Sequence, residues 1–150
     1  MTNFFRDFVP RSTPLPNPDP FRRARGSLRG GDRLFSATRA FLLVLQDDGN
    51  LVLYAIDDAT LPPDVTQGKY TTALWSTRTV GWPGGVELIR YLDMQDDGNL
   101  VLNDEGIPVW SSGTEGNPGA FLRCQDDGNL VIYAPDGTPL WSSNTYAGPR

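Results

Sequence analysis

The residues best suited to chemistry lie in a nine-residue string that occurs three times in the chain, at residues 46–54, 95–103 and 125–133. The first copy is Gln-Asp-Asp-Gly-Asn-Leu-Val-Leu-Tyr, and the other two depart from it only at their last two positions. Each copy combines carboxylates, which accept hydrogen bonds, with amides, which donate and accept them. Such a set suits the neighbouring hydroxyls of a polyol. Three copies also favour three binding sites over one reaction centre.

Each string predicts a β-hairpin. Apolar, strand-forming residues occupy positions 41–45 and 51–54, and the Asp-Gly pair between them is a strong turn signal because Gly accepts a positive φ. Side chains alternate between the two faces of a strand, so Leu51 and Leu53 should face the core. The alternate residues and the turn then form a surface patch. In the first copy this patch consists of Gln46, Asp48, Asn50, Val52 and Tyr54.

A tryptophan follows each string, at Trp75, Trp110 and Trp141, and each begins a Trp-Ser-Thr or Trp-Ser-Ser triplet. The first repeat carries an insertion before its tryptophan. No stretch shows a sustained 3.6-residue apolar period, which predicts an all-β fold. Three such units cannot each bury a core, so we expect them to pack around one axis with the three tryptophans at the centre. Trp82 stands outside this pattern and is predicted to lie in a loop or at an edge.

The chain divides into a Pro/Arg-rich N-terminal extension, residues 1–26, and a domain of three repeats, residues 27–150. Alternating prolines between residues 9 and 20 favour an extended, polyproline-II-like arm. Residues 1–33 carry seven Arg and three Asp, so the body is strongly acidic within a total net charge of −5. The arm could be solvated, packed on an acidic body or bound to nucleic acid. Because it lacks interleaved aromatic residues for base stacking, we predict no nucleic-acid partner.

The N-terminus and the hydropathy bear on location. The first seven residues contain no apolar stretch long enough for a signal peptide. The sequence therefore predicts either a cytoplasmic protein or export by a leaderless route. No apolar run is long enough to span a bilayer, so no membrane association is predicted.

Composition excludes several kinds of site. The chain has no histidine, which removes His-based triads and His metal ligands, and with one cysteine a zinc site is excluded. The Asp-Asp-Gly-Asn turns lack the distal bidentate Glu of an EF-hand. Asp47 and Asp48 are adjacent and should diverge, whereas a glycosidase needs two carboxyls facing one gap. We therefore predict no enzyme activity, no cofactor and no metal. Cys124 occupies the apolar slot of Leu45 and Met94, which predicts a buried thiol.

The spacing Gln-x-Asp-x-Asn-x-Val-x-Tyr resembles the mannose-binding signature of the monocot (bulb-type, snowdrop-like) lectins, and the resemblance extends over roughly residues 27–145. It implies a β-prism II fold, with three four-stranded antiparallel sheets around a pseudo-threefold axis. It also implies that each intact site binds mannose. The Asp and Asn would hold the axial O2, the Gln would hold O3, the Tyr hydroxyl would hold O4, and the Val would touch the ring carbons.

The three sites are not equivalent under this resemblance. The first site is the patch given above, and the third matches the signature fully with Gln125, Asp127, Asn129, Val131 and Tyr133. The second site consists of Gln95, Asp97, Asn99 and Val101. There Asn103 replaces the tyrosine, and losing one neutral hydrogen bond costs on the order of 1 kcal/mol, so we expect a weak or silent site.

The resemblance has one exception and one further implication. Many plant members carry a disulfide within the domain, and none is possible in this chain. Members often dimerise by exchanging C-terminal strands, and residues 140–146 are placed to do so, which predicts a homodimer. The alternative is a lectin-fold scaffold or toxin-like protein that binds a protein partner and keeps vestigial sugar sites.

Overall fold

The structure, a computed structural model, describes residues 8–9, 27–56, 71–81 and 90–146. These residues form strands and turns, and the prediction of an all-β fold is confirmed. Within the described segments there is no helix with the length and apolar character needed to cross a membrane. Trp82, the proline-rich arm from residue 10 to residue 20 and most of the insertion in the first repeat lie outside the described residues.

Twelve strands make up the described part of the chain. They are β1 (Phe8–Val9), β2 (Ser27–Arg29), β3 (Arg33–Phe35), β4 (Phe41–Leu45), β5 (Leu51–Ile56), β6 (Thr71–Ser76), β7 (Arg90–Met94), β8 (Leu100–Asp104), β9 (Ile107–Ser111), β10 (Phe121–Cys124), β11 (Leu130–Tyr133) and β12 (Pro139–Ser142). They form three antiparallel sheets: β1-β3-β4-β5-β6, β2-β7-β8-β9 and β10-β11-β12. Each sheet is built on the hairpin of one repeat, and the second sheet also takes β2 from the segment that precedes the first repeat.

The strand count per sheet differs from the uniform four that the resemblance implies. The first sheet gains β1, a two-residue strand that pairs with β3 and ends next to Pro10, which cannot donate to a ladder. The third sheet has three strands, and the outer edge of β10 pairs with no other described strand. By contrast, the corresponding strands β4 and β7 are covered by β3 and β2.

Each nine-residue string begins with a tight hairpin turn, as its Asp-Gly pair predicts. The strands close on the pairs Leu45–Leu51, Met94–Leu100 and Cys124–Leu130. At the turn, the N–H of Gly49 donates to the carbonyl of Gln46 at 2.9 Å, and Gly49 adopts a φ of 88°. The same turn bond recurs in the other two copies, from Gly98 to Gln95 and from Gly128 to Gln125.

The core lies between the three sheets. Leu51 and Leu53 are fully buried in it, as are their counterparts in the other two repeats, which confirms the predicted inward face. Cys124 is also in this core with Leu45 and Met94, so the prediction of a buried thiol is confirmed. Fully burying a leucine contributes about 1.5–3 kcal/mol, and most of the core positions on the hairpins are leucines.

Trp75, Trp110 and Trp141 contact one another, as predicted. Their ring centroids are 5.4–5.6 Å apart and their planes cross at 70–75°. This edge-to-face arrangement is the favoured geometry for aromatic pairs. Each ring comes from the last strand of one sheet and packs against the shared core. The three repeats are therefore joined around one axis by a ring of indoles.

Candidate functional site

The aspartate of each motif is fixed by its own hairpin turn. Oδ1 of Asp48 accepts the backbone N–H of Asn50 at 2.9 Å, and the equivalent bonds in the second and third copies have the same length. This local bond is typical of Asx turns. Within the described residues, the other carboxylate oxygen of Asp48 has no hydrogen-bond partner. It is therefore a fixed acceptor on an exposed turn.

The asparagine of each motif is oriented by the segment that follows the tryptophan. Oδ1 of Asn50 accepts the backbone N–H of Thr79 at 3.2 Å, and Asn99 and Asn129 do the same with Thr114 and Thr145. A hydroxyl group also donates to each of these oxygens. Because the carbonyl oxygen is occupied in this way, the amide nitrogen is left to donate to a ligand.

Three threonines complete the turns, and the sequence analysis missed them. The hydroxyls of Thr79, Thr114 and Thr145 donate to the carbonyls of Gly49, Gly98 and Gly128 at 2.9, 2.6 and 2.6 Å. The signal was present, since a threonine stands four residues after each central tryptophan. The repeated triplet therefore extends to Trp-Ser-Ser/Thr-x-Thr, and its function in the structure is to hold the motif.

Glutamine and tyrosine meet in the first and third sites. The amide nitrogen of Gln46 donates to the hydroxyl of Tyr54, and Gln125 donates to Tyr133 in the same way. Burial raises the pKa of Tyr54 and the charge of Asp48 adds to this, while the hydrogen bond from Gln46 opposes it. The phenol is therefore protonated at neutral pH and can donate to an acceptor.

The motif valines are more covered than the sequence suggests. Val52, Val101 and Val131 lie on the outer face, yet only 3%, 4% and 3% of each is exposed. Because so little of each side chain is exposed, each valine offers only a small apolar contact. The patch that a ligand meets is polar, with a little apolar surface beneath.

The second site differs at the position of the missing tyrosine. The amide of Asn103 donates to Oδ2 of Asp93 at 3.2 Å, and Ser27 donates to the other oxygen of the same carboxylate. The side-chain amide of Gln95 has no hydrogen-bond partner among the described residues. Asn103 therefore bonds to the neighbouring strand β7. It does not pair with the glutamine, as the tyrosine does in the other two sites.

The first site has additional support from Arg90, which the sequence analysis also missed. This side chain is 8% exposed and donates to the carbonyls of Gly49, at 2.6 Å, and Thr79. It also forms an ion pair with Asp104 at 3.4 Å. The first turn is thus bonded to the second sheet.

The three patches offer groups that form hydrogen bonds. In the described part of the chain, no group of three or more acidic, cysteine or histidine side chains is placed to hold a metal ion. The fixed elements are a carboxylate oxygen, an amide N–H and, in two sites, a phenol paired with a glutamine. These groups match adjacent hydroxyls on one face of a sugar ring.

Comparison with known proteins finds lectins that are similar to this chain in sequence. No protein-family model matches it. The B-type lectin plumieribetin of Scorpaena plumieri is 31% identical over 128 residues, which cover 82% of this chain and 93% of that protein. The mannose-specific lectin of Galanthus nivalis is 51% identical over 43 residues, and this match spans 27% of its length.

Solved structures of lectins have a fold similar to that of this chain. The monomeric monocot mannose-binding lectins from Gastrodia elata superpose with a TM-score of 0.58 at 32% identity, over 80% of this chain and 92% of theirs. The snowdrop agglutinin, complexed with methyl-α-D-mannoside, superposes with a TM-score of 0.53 at 34% identity, over 81% of this chain and 93% of its own. With its three sheets, its three motifs and these relatives, the chain belongs to the monocot mannose-binding, bulb-type lectin family, and its fold is a β-prism II.

Proposed function

We propose that this protein is a non-enzymatic lectin that binds mannose or mannose-rich glycans. The observation that carries the proposal is the threefold recurrence of an Asp and an Asn side chain held by equivalent bonds in each copy. A fold alone needs the leucines and the glycine of the motif, but it does not need the pairing of glutamine with tyrosine. Mannose is chosen because the Galanthus nivalis relative is a mannose-specific lectin and the snowdrop agglutinin structure contains methyl-α-D-mannoside.

Each residue type has a distinct role in this proposal. The free carboxylate oxygen of Asp48 and the amide nitrogen of Asn50 hold the axial O2 of mannose. Gln46 binds O3, the hydroxyl of Tyr54 binds O4, and Val52 touches the ring carbons. The third site acts in the same way, with Gln125, Asp127, Asn129, Val131 and Tyr133. The second site, Gln95, Asp97, Asn99 and Val101, binds more weakly because Asn103 is engaged with Asp93.

Useful affinity comes from several sites acting together. A single shallow patch binds a monosaccharide with a Kd on the order of millimolar, or about −4 kcal/mol. A branched or polymeric mannan that engages two sites converts the second contact into an intramolecular one, which raises avidity without new contacts.

A homodimer formed by exchange of C-terminal strands is part of the proposal. The third sheet has three strands, and the edge of β10 is unpaired among the described strands. An unpaired edge is a template for another strand. The segment for exchange, residues 140–146, includes most of β12, which pairs with β11 of its own chain. Light scattering at micromolar concentration tests this, since a monomeric mass would exclude the dimer.

The decisive experiment is a titration with mannose, yeast-type mannan and galactose, followed by calorimetry and ligand-observed NMR. Weak saturable binding of mannose, much tighter binding of mannan and no response to galactose are expected. Absence of binding to both mannose and mannan would overturn the proposal. The motifs would then serve as a scaffold, and the search would turn to protein partners.

A further inference from the structure

The three sites differ in charge at one position beside the motif valine. The residue directly across the strand pair is Val44 for Val52, Asp93 for Val101 and Arg123 for Val131. Directly opposed residues on an antiparallel pair have Cβ atoms about 4.5–5.5 Å apart and share a face. This position therefore adjoins the floor of each patch, and it is apolar in the first site, acidic in the second and basic in the third.

Arg123 faces outward, toward the third patch. Its neighbours on β10, Leu122 and Cys124, are both buried in the core, so alternation along the strand places Arg123 on the opposite face. The side chain is exposed, and within the described residues its guanidinium makes no hydrogen bond or ion pair. Besides two hydrogen bonds from Thr38, the charge of Arg123 contributes to lowering the pKa of Asp126, which places the guanidinium near the motif turn.

The second and first sites lack such a cation at this position. In the second, Asp93 adds a carboxylate to a turn that already carries two aspartates. The nearby cation Arg29 stacks on Tyr91, two residues further along β7. In the first, Val44 is buried, and Arg33 lies one strand further out and is 4% exposed. Arg90 also reaches the first turn, where it donates to the carbonyl of Gly49, but Asp104 pairs with it. Since all three turns have the same pair of aspartates, the residue across from the valine makes the third site the least negative and the second the most negative.

We infer that the third site is the subsite for an anionic glycan, a mannose-type sugar that carries a phosphate ester or a carboxylate, with Arg123 as the partner of the anionic group. The inference rests on the proposed lectin function and adds ligand selectivity among its sites. A guanidinium presents a planar fork of donors that matches phosphate and carboxylate oxygens. The opposite charge at Asp93 makes the second site disfavour the same ligands.

Site-resolved NMR of the full chain tests this. The amides of Gly49, Gly98 and Gly128 report the three turns separately, and the probes are methyl α-D-mannoside, mannose 6-phosphate and mannuronate. At low salt, Gly128 should respond to mannose 6-phosphate at about three- to tenfold lower concentration than to the neutral sugar. Gly98 should show the reverse order. The preference at Gly128 should shrink at about 0.5 M salt because screening weakens exposed charge pairs.

Variants within the third site use residues that the other repeats already carry there. Arg123→Val, as in the first site, should remove the preference and keep binding of methyl α-D-mannoside. Arg123→Asp, as in the second, should reverse it. Arg78→Gln changes an exposed arginine of the first repeat and should leave the response of Gly128 unaltered. Mannuronate compared with mannose 6-phosphate separates a carboxylate partner from a phosphate partner, and a preference for either one supports the inference.

Two results would overturn the inference while leaving the lectin proposal intact. One is equal affinity of the third site for the neutral and both charged sugars. The other is a response to inorganic phosphate alone as strong as that to mannose 6-phosphate, since the anion would then bind without the sugar. A lack of response to methyl α-D-mannoside at every turn contradicts the proposed function itself.

Discussion

The carboxylate of Asp126 accepts two hydrogen bonds from Thr38, one from the backbone N–H and one from the hydroxyl, each 2.8 Å long. The two residues are 88 positions apart, in the third and first repeats. This contact therefore joins the turn of the third site to the beginning of the first hairpin. It closes the ring of repeats at the surface, in addition to the core.

This contact predicts a dependence of stability on pH. The hydrogen bonds from Thr38 lower the pKa of Asp126 below its ordinary value. Their contribution is therefore present above the unfolded-state pKa of about 3.9 and is lost as pH falls through the lowered folded-state pKa. Asp126→Asn should reduce the free energy of unfolding at about pH 7 by less than about 1 kcal/mol, since the pair is exposed. Urea denaturation at several pH values measures it. A difference that stays constant down to about pH 2 would contradict the assignment.

Replacing the motif aspartates should weaken glycan binding without unfolding the protein. In Asp48→Asn combined with Asp127→Asn, the amide oxygen still accepts the backbone N–H that closes each turn, while the anionic acceptor is lost. We expect mannan affinity to fall by more than about tenfold, because a hydrogen bond to a charged group is worth about 1.5–3 kcal/mol. Asp136→Asn, at an exposed turn outside the motifs, is the control. Undiminished mannan binding by the double variant would favour a scaffold over a lectin.

Restoring tyrosine should strengthen the second site. Asn103→Tyr removes the bond to Asp93 and offers Gln95 the partner that its counterparts have in the other two sites. Affinity at the second turn should rise by roughly fivefold, the equivalent of one neutral hydrogen bond. The Gly98 amide resonance measures it during titration with methyl α-D-mannoside. An unchanged response would mean that Asp93, and not the absent phenol, limits this site.

Two glycines of the second repeat should respond differently to alanine. Both have a positive φ, 90° at Gly98 and 84° at Gly106. A Cβ at Gly98 would lie 2.1 Å from the carbonyl oxygen of Asn117, whereas a Cβ at Gly106 would meet nothing within 4 Å. Gly106→Ala should cost about 1–2 kcal/mol from backbone conformation alone. Gly98→Ala should lower the free energy of unfolding by about 3 kcal/mol or more, and thermal or urea denaturation measures this loss. Equal losses would show that the turn can move away from Asn117.

Much of this fold follows from local sequence. The Asp-Gly pairs, the alternation of leucine with polar residues and the repeated tryptophans predict the hairpins, their inward faces and the central cluster. Each of these signals acts over a few residues or recurs with the repeat. The position of Cys124 in the core follows for the same reason, because its slot holds Leu45 and Met94 in the other copies.

The missed features depend on contacts between distant segments. The threonine hydroxyls reach glycine carbonyls 16–30 residues away, and Arg90 reaches across 41 residues to Gly49. No local propensity encodes such pairs. The unequal strand counts have a similar origin, since β1 reaches β3 from a region whose prolines argue against strands. The candidate sites could be proposed from sequence because the residues of each one lie within nine positions of each other.

The ring of indoles constrains the number of repeats, but it does not constrain the residues on their outer faces. Because each tryptophan packs on the other two, no repeat can be deleted or doubled without leaving aromatic faces uncovered. The residues on the outer faces take no part in this ring. Substitutions at the half-buried Asp93 or the exposed Arg123 can therefore change one outer face while the number of repeats stays at three. In such an architecture a point substitution changes one outer surface at a time, whereas gain or loss of a repeat would disturb the indole ring.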